Sequence, residues 1–107
     1  ENCTGNYAFV AKSTTVQPTN INAPEQIHLA FEDSIDRLIV SYVTNSHEYA
    51  PQCQYGTDPS SLQTMISGKS ETYQGSDMCE EPATIPGPQT YIDPGFLHTI
   101  LLYDLRP

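Results

Sequence analysis

The stretch that most restricts this chain is its last fifteen residues, 93–107 (DPGFLHTILLYDLRP). Asp-Pro-Gly is turn chemistry, because Pro presets φ and Gly admits the left-handed region. Residues 97–103 that follow are apolar and β-forming, long enough for one full strand. The run then meets a Leu105-Arg106-Pro107 corner, which should hand the chain on into another strand. Pro107 is the last residue, so the expectation is a sheet protein of which only part is present.

The rest of the chain is read as short strands between polar turns. Residues 6–11 (NYAFVA) alternate weakly and read as a short strand, and residues 12–24, rich in Ser, Thr, Asn and Pro, read as a linker. Ile27, Leu29 and Phe31 fall on one face at period two, the signature of a strand with one apolar side. Residues 32–36 (EDSID) form a polar hairpin turn, and residues 37–44 (RLIVSYVT) are the most strongly β-patterned segment. If the two strands pair, Leu38, Val40 and Tyr42 face the core.

Beyond a loop over residues 45–51, Gln52-Cys53-Gln54-Tyr55 is a third strand, closed by the turn Gly56-Thr57-Asp58-Pro59. Two weak strands, 62–66 and 71–73, flank Ser67-Gly68-Lys69. Residues 74–90 hold three prolines, Glu80-Glu81 and Cys79, too turn-rich for regular structure. No i, i+3, i+4, i+7 stripe runs past two turns, so no ordinary helix is expected.

A chain of 107 residues has room for one small domain, and 37% hydrophobic content supplies one modest core. Nine prolines, six glycines and no apolar stretch near the ~18 residues of a membrane span indicate a loop-rich all-β chain without a membrane partner. Thirteen acidic residues against four basic ones give a formal charge of −9. Binding to nucleic acid depends on Lys and Arg neutralising phosphates, so nucleic acid is not an expected partner either.

The three cysteines, Cys3, Cys53 and Cys79, are an odd number, so at least one is free or pairs outside this chain. Cys53 shares a face with Tyr55 and is read as core packing rather than as a bridge. Cys3 and Cys79 are the disulfide candidates. Spacings of 50 and 26 residues match no CxxC-type zinc signature. Asn2-Cys3-Thr4 makes Asn2 a glycosylation acceptor in a secreted protein, and no signal peptide stands at Glu1.

No catalytic constellation is legible. His28, His47 and His98 lack HxH, HExxH or DxH spacing, and no metal site is expected from them. His98, in the terminal strand, is read as half-buried and hydrogen-bonded to backbone. Glu32, Asp33 and Asp36 lack the Gly and the terminal Glu of a calcium loop and are read as a solvated turn. Glu80-Glu81 beside Pro82 has no burial to split two acid strengths, and Ser60-Ser61 has no GxSxG elbow.

Four segments occur in a familiar order and spacing: Pro24-Glu25-Gln26-Ile27-His28-Leu29, then Leu38-Ile39-Val40-Ser41-Tyr42-Val43-Thr44, then Gln54-Tyr55-Gly56-Thr57, and His98-Thr99 leading to Leu105-Arg106-Pro107. Over residues 24–107 the chain resembles the N-terminal fibronectin-like domain of purple acid phosphatases. Asp77-Met78-Cys79, Pro82-Ala83 and Asp93-Pro94-Gly95-Phe96 are similar to the large plant-type and protist members. The resemblance implies an all-β, partial fibronectin/immunoglobulin-like β-sandwich lacking its last two strands, and residues 1–23, outside the resemblance, are read as an N-terminal strand and linker.

It further implies a parent that hydrolyses phosphate monoesters at a two-metal centre, ferric iron plus zinc, manganese or a second iron. Family ligand motifs such as GDxxY and GNHE are absent from this sequence. No catalytic and no metal residue is therefore assigned, and no cofactor belongs to this piece. The implied role is a non-catalytic accessory domain of a secreted, extracellular or vacuolar acid phosphatase. Its partners would be the downstream catalytic domain and a second copy in a homodimer. The alternative is a freestanding fibronectin-like extracellular binding module. If strands are missing, the edge at residues 52–56 is unpaired and the apolar face of that strand partly bare, an invitation to pair with another chain.

Overall fold

In a computed structural model, which describes residues 5, 8–87 and 90–106, the chain is two antiparallel sheets packed face to face. The strands are β1 (Glu25–Phe31), β2 (Leu38–Thr44), β3 (Gln52–Tyr55), β4 (Thr64–Ser67), β5 (Lys69–Glu71) and β6 (Phe96–Leu102). The first sheet has the order β1-β2-β6-β5 and the second is the pair β3-β4. All four pairings are antiparallel. The expected placement of the hairpin, of the terminal strand on the far edge of β2, and of residues 52–55 in the second sheet is what the structure has.

β2 and β6 form the centre, paired from Leu38↔Leu102 to Thr44↔Phe96 without a slip. Directly paired residues share a face, so Leu38, Val40 and Tyr42 line up with Leu102, Ile100 and His98. Val40, Ile100 and Leu102 are the buried core, and Cys53, Tyr55 and Ile66 of the second sheet pack on it. Cys53 is thus a half-buried packing residue, and burial raises its thiol pKa.

The chain passes from the second sheet to the first at Gly68, between β4 and β5. Its N–H donates to the Pro51 carbonyl at 3.0 Å. A Cβ here would collide with the Thr99 carbonyl and stand 2.5 Å from Ile100 Cγ1. That close approach lets β5 pair with β6 over Lys69↔Thr99, Ser70↔His98 and Glu71↔Leu97. The strand expected at 71–73 therefore begins two residues earlier, drawn into register by the edge of β6.

Asp93-Pro94-Gly95 feeds β6 as expected of a turn. Asp93 Oδ1 accepts the Gly95 N–H at 2.8 Å, Gly95 has φ +75°, and Thr72 Oγ1 donates to the Gly95 carbonyl at 2.7 Å. Residues 74–87 and 90 are irregular apart from a 3₁₀ turn at Gly75–Asp77 and an isolated bridge from Pro86 to Tyr91, with Tyr91 Oη donating to the Tyr73 carbonyl at 2.6 Å.

Two expectations are corrected. Residues 8–11 form no strand, because weak alternation without a paired neighbour leaves the backbone to water. Asn6 and Tyr7 lie outside the described residues. The bare apolar face belongs to β1, not to β3. Ile27, Leu29 and Phe31 are 63%, 66% and 67% exposed, whereas Cys53 and Tyr55 are covered by the β2–β6 core.

Replacing Gly68 by Ala should destabilise the fold by about 1–3 kcal/mol, the range for forcing an extra carbon into a closed site. The obstacle is partly backbone and cannot rotate away. Denaturant unfolding of G68A checks this, with Gly56→Ala, where the nearest backbone atom is at 3.0 Å, as the milder comparison.

Candidate functional site

Of the histidines expected to be chemically idle, His28 and His98 lie on different strands and His47 lies in a loop. His28 projects from the outer face of β1 beside Ser41. Its Nδ1–H donates to the Gln26 carbonyl at 2.5 Å across an irregularity where Gln26 has φ 51°. His47 lies in the loop after β2, its ring 4.4 Å from that of Phe96. His98 points inward from β6. Among the described residues no three His, Cys, Asp or Glu side chains gather as metal ligands. The donor set a two-metal phosphatase centre needs is therefore not assembled among the described residues.

The acidic turn after β1 is committed to the chain itself. Arg37 Nη1 stands 3.4 Å from Glu32 and 3.6 Å from Asp33. The Ser34 hydroxyl donates to Asp36, which chiefly accounts for the lowered pKa of that carboxyl. Asp58 is lowered likewise by the Ser60 hydroxyl and then the Ser60 N–H. Cys79 is exposed. Its candidate partner Cys3 and the sequon residue Asn2 lie outside the described residues.

His98 departs from expectation in its partners and its depth. It is 2% exposed, and it bonds side chains rather than backbone. Nε2 is 2.6 Å from Thr44 Oγ1 and Nδ1 is 2.8 Å from Ser70 Oγ. The Thr44 hydroxyl already donates its one proton to the Ser46 carbonyl, so it accepts from Nε2–H. Nδ1 is then the acceptor of the Ser70 hydroxyl. One imidazole in one tautomer ties β2, β6 and β5 together, with its ring 4.8 Å from that of Tyr42.

Geometry directs attention instead to the open side of the sandwich. Among the described residues β3 pairs only with β4, so its other edge has no strand partner. β4 touches β6 and leads through Gly68 into β5. The second sheet therefore overlies β5, β6 and β2, and the next strand position beyond β3 lies over β1. An unpaired strand edge thus looks across the apolar row Ile27, Leu29, Phe31. At the end of this opening a cleft of about 550 Å³ lies between Tyr55, Asp58 and Thr64 on one side and Asp104, Leu105 and Arg106 on the other. Leu105 packs on the core, and its N–H donates to the Asp36 carbonyl at 3.0 Å. A free edge over an apolar floor is built to receive extended polypeptide.

The family pattern described as "Purple acid Phosphatase, N-terminal domain" matches residues 24–107. The chain belongs to the purple acid phosphatase N-terminal domain family. It is 29% identical over 86 residues to a protein described as probable inactive purple acid phosphatase 9 of Arabidopsis thaliana, covering 80% of this chain and 13% of that protein. Its fold is similar to that of purple acid phosphatase PPD1 from yellow lupin (Lupinus luteus) seeds, with a TM-score of 0.71 and 27% identity. That match covers 83% of this chain and 15% of the lupin chain. The chain thus spans about an eighth of one relative and about a seventh of the other. The matched region of this phosphatase domain family contains the open edge, the apolar floor and the His98 bridge, all within β1 to β6.

Burial lowers the pKa of His98. A lowered folded value means that the unfolded chain binds the proton first, so stability rises with pH across that window. Stability should be level above the ordinary value of 6.5 and fall as pH drops below it, because the charged ring would be buried with two hydroxyls and no carboxylate. Urea midpoints measured from pH 8 to about 5, above the usual carboxylate range, check this. His98→Asn should be less stable throughout and should lack the decline.

Proposed function

We propose that this chain is a non-catalytic accessory domain of a larger, secreted or vacuolar, metal-dependent acid phosphatase. In this reading the phosphate monoester is hydrolysed elsewhere in the parent polypeptide, by iron with a second divalent metal, and the sandwich serves as a packing unit. The observation that carries the reading is the open side: a free β3 edge over the exposed row Ile27, Leu29, Phe31. Two further strands of the same polypeptide, pairing beyond β3, would satisfy the edge and cover the row. The matched family and the short share of each relative that this chain spans support a parent with a separate catalytic domain. The sequon at Asn2 supports secretion. A homodimer of the parent belongs to the same proposal.

Alanine substitution at a covered and at an open position of the same inner face tests this. Ile100, with 0% exposure, should lose about 2–5 kcal/mol on truncation to Ala wherever it is measured. Leu29→Ala should cost little in this chain, within about 0.5 kcal/mol as at other surface positions. In the parent polypeptide Leu29→Ala should rise into the range of a core substitution. An unchanged, small cost in the parent would mean that nothing covers β1 and would sink the packing role. The chain alone should neither hydrolyse p-nitrophenyl phosphate nor retain iron or zinc, whereas the parent should do both. Stoichiometric metal lost on replacing two of the histidines would overturn the non-catalytic assignment.

A further inference from the structure

The two central strands are apolar on both faces, although the second sheet covers only one. On the outer face, Ile39 and Val43 of β2 stand beside Leu101 and Leu97 of β6. Leu97 and Leu101 are 39% and 36% exposed. A sheet solvated on one side carries polar residues there, so this row points to a cover. The face is also concave at one end, where a depression of about 200 Å³ lies among Ser41, Val43, Leu97 and Thr99, with Gln26 and His28 on its rim.

The same molecule carries apolar side chains without cover. Phe9, Val10 and Val16 are 82%, 92% and 85% exposed. The segment that bears them is fixed at the concave end of the sheet. The Asn45 N–H donates to the Ile21 carbonyl at 3.0 Å, and Asn22 Nδ2 donates to Glu48 at 3.2 Å. Asn45 directly follows β2, and Val43↔Leu97 lies one pair in from that end. Five residues from Ile21 to Val16 reach up to about 17 Å, and twelve to Phe9 about 40 Å. A seven-residue strand is about 23 Å long, so the arm can lie along the whole face. Lys12 is the single charge in residues 8–16, and Thr14, Thr15 and Val16 are β-branched.

We propose that residues 8–16 are a strap that closes over the outer face of the first sheet, seating its apolar side chains on Val43, Leu97 and Leu101. The strap uses the face opposite the one assigned to the rest of the parent polypeptide, so it stands or falls independently of that assignment.

The chain has no tryptophan, which makes Phe9→Trp a single reporter in the full chain. With the strap closed, its emission lies to the blue of that of the urea-unfolded chain, and acrylamide quenches it severalfold less. Both signals return to the unfolded values when Leu97→Glu and Leu101→Glu are added, with the far-ultraviolet β signature retained. If that pair disturbs folding, the exposed position Thr99→Lys does the same work. Emission equal to that of the unfolded chain would overturn the proposal. A blue shift that persists in the outer-face variants, or one that vanishes on dilution as docking onto a second copy would, overturns it equally.

Discussion

The pairing of β2 with β6 is the constraint on which the rest depends. Seven residues of one strand meet seven of the other without a slip, although residues 45–95 separate them along the chain. The pairing sets Val40 against Ile100 and Leu38 against Leu102, and these side chains form the floor on which Cys53, Tyr55 and Ile66 rest. It also brings Thr44 and His98 together, and Ser70 joins them only because β5 has been carried to the free edge of β6 through Gly68. Core, polar bridge and sheet crossing are one assembly.

That assembly covers half of what it could. The second sheet is two strands wide against four in the first, so β1 projects beyond its cover. Each Å² of apolar surface left in water forgoes roughly 25 cal/mol of stabilisation. The same arithmetic makes the open side a recognition surface, because a strand laid there gains backbone hydrogen bonds from β3 and apolar contact from Leu29 and Phe31. The function proposed for the domain follows from this asymmetry. Its three histidines are engaged with Gln26, with Phe96, and with Thr44 and Ser70.

The strands themselves were largely legible, because alternation in residues 27–31 and apolar density in 37–44 and 97–103 are local properties. What each strand would bury was less so. Ile27, Leu29 and Phe31 carry a core-like pattern, yet their exposure is decided by the width of a sheet formed from residues 52–67. The bonds of His98 were beyond a local reading too, since its partners lie 54 and 28 positions away. Gly68 was legible as a break between two weak strands, but its need to avoid the Thr99 carbonyl is a tertiary fact that no composition signals. In residues 8–11 the pattern was too weak to make a strand without a neighbour. The resemblance to purple acid phosphatases rested on turn and strand residues such as Asp93-Pro94-Gly95-Phe96, which the structure uses to start β6 opposite Thr44.

The central claim is that β3 presents an edge meant for further strands of the parent polypeptide, and native-state hydrogen exchange on β3 tests it most directly. In this chain alone, the amides of residues 52–55 should exchange through local opening, well before those of β2 and β6, which should report the global unfolding free energy. In the parent polypeptide the β3 amides should slow to match β2. Protection of β3 equal to that of β2 in this chain, unchanged in the parent, would contradict the account and leave a sandwich that needs no cover.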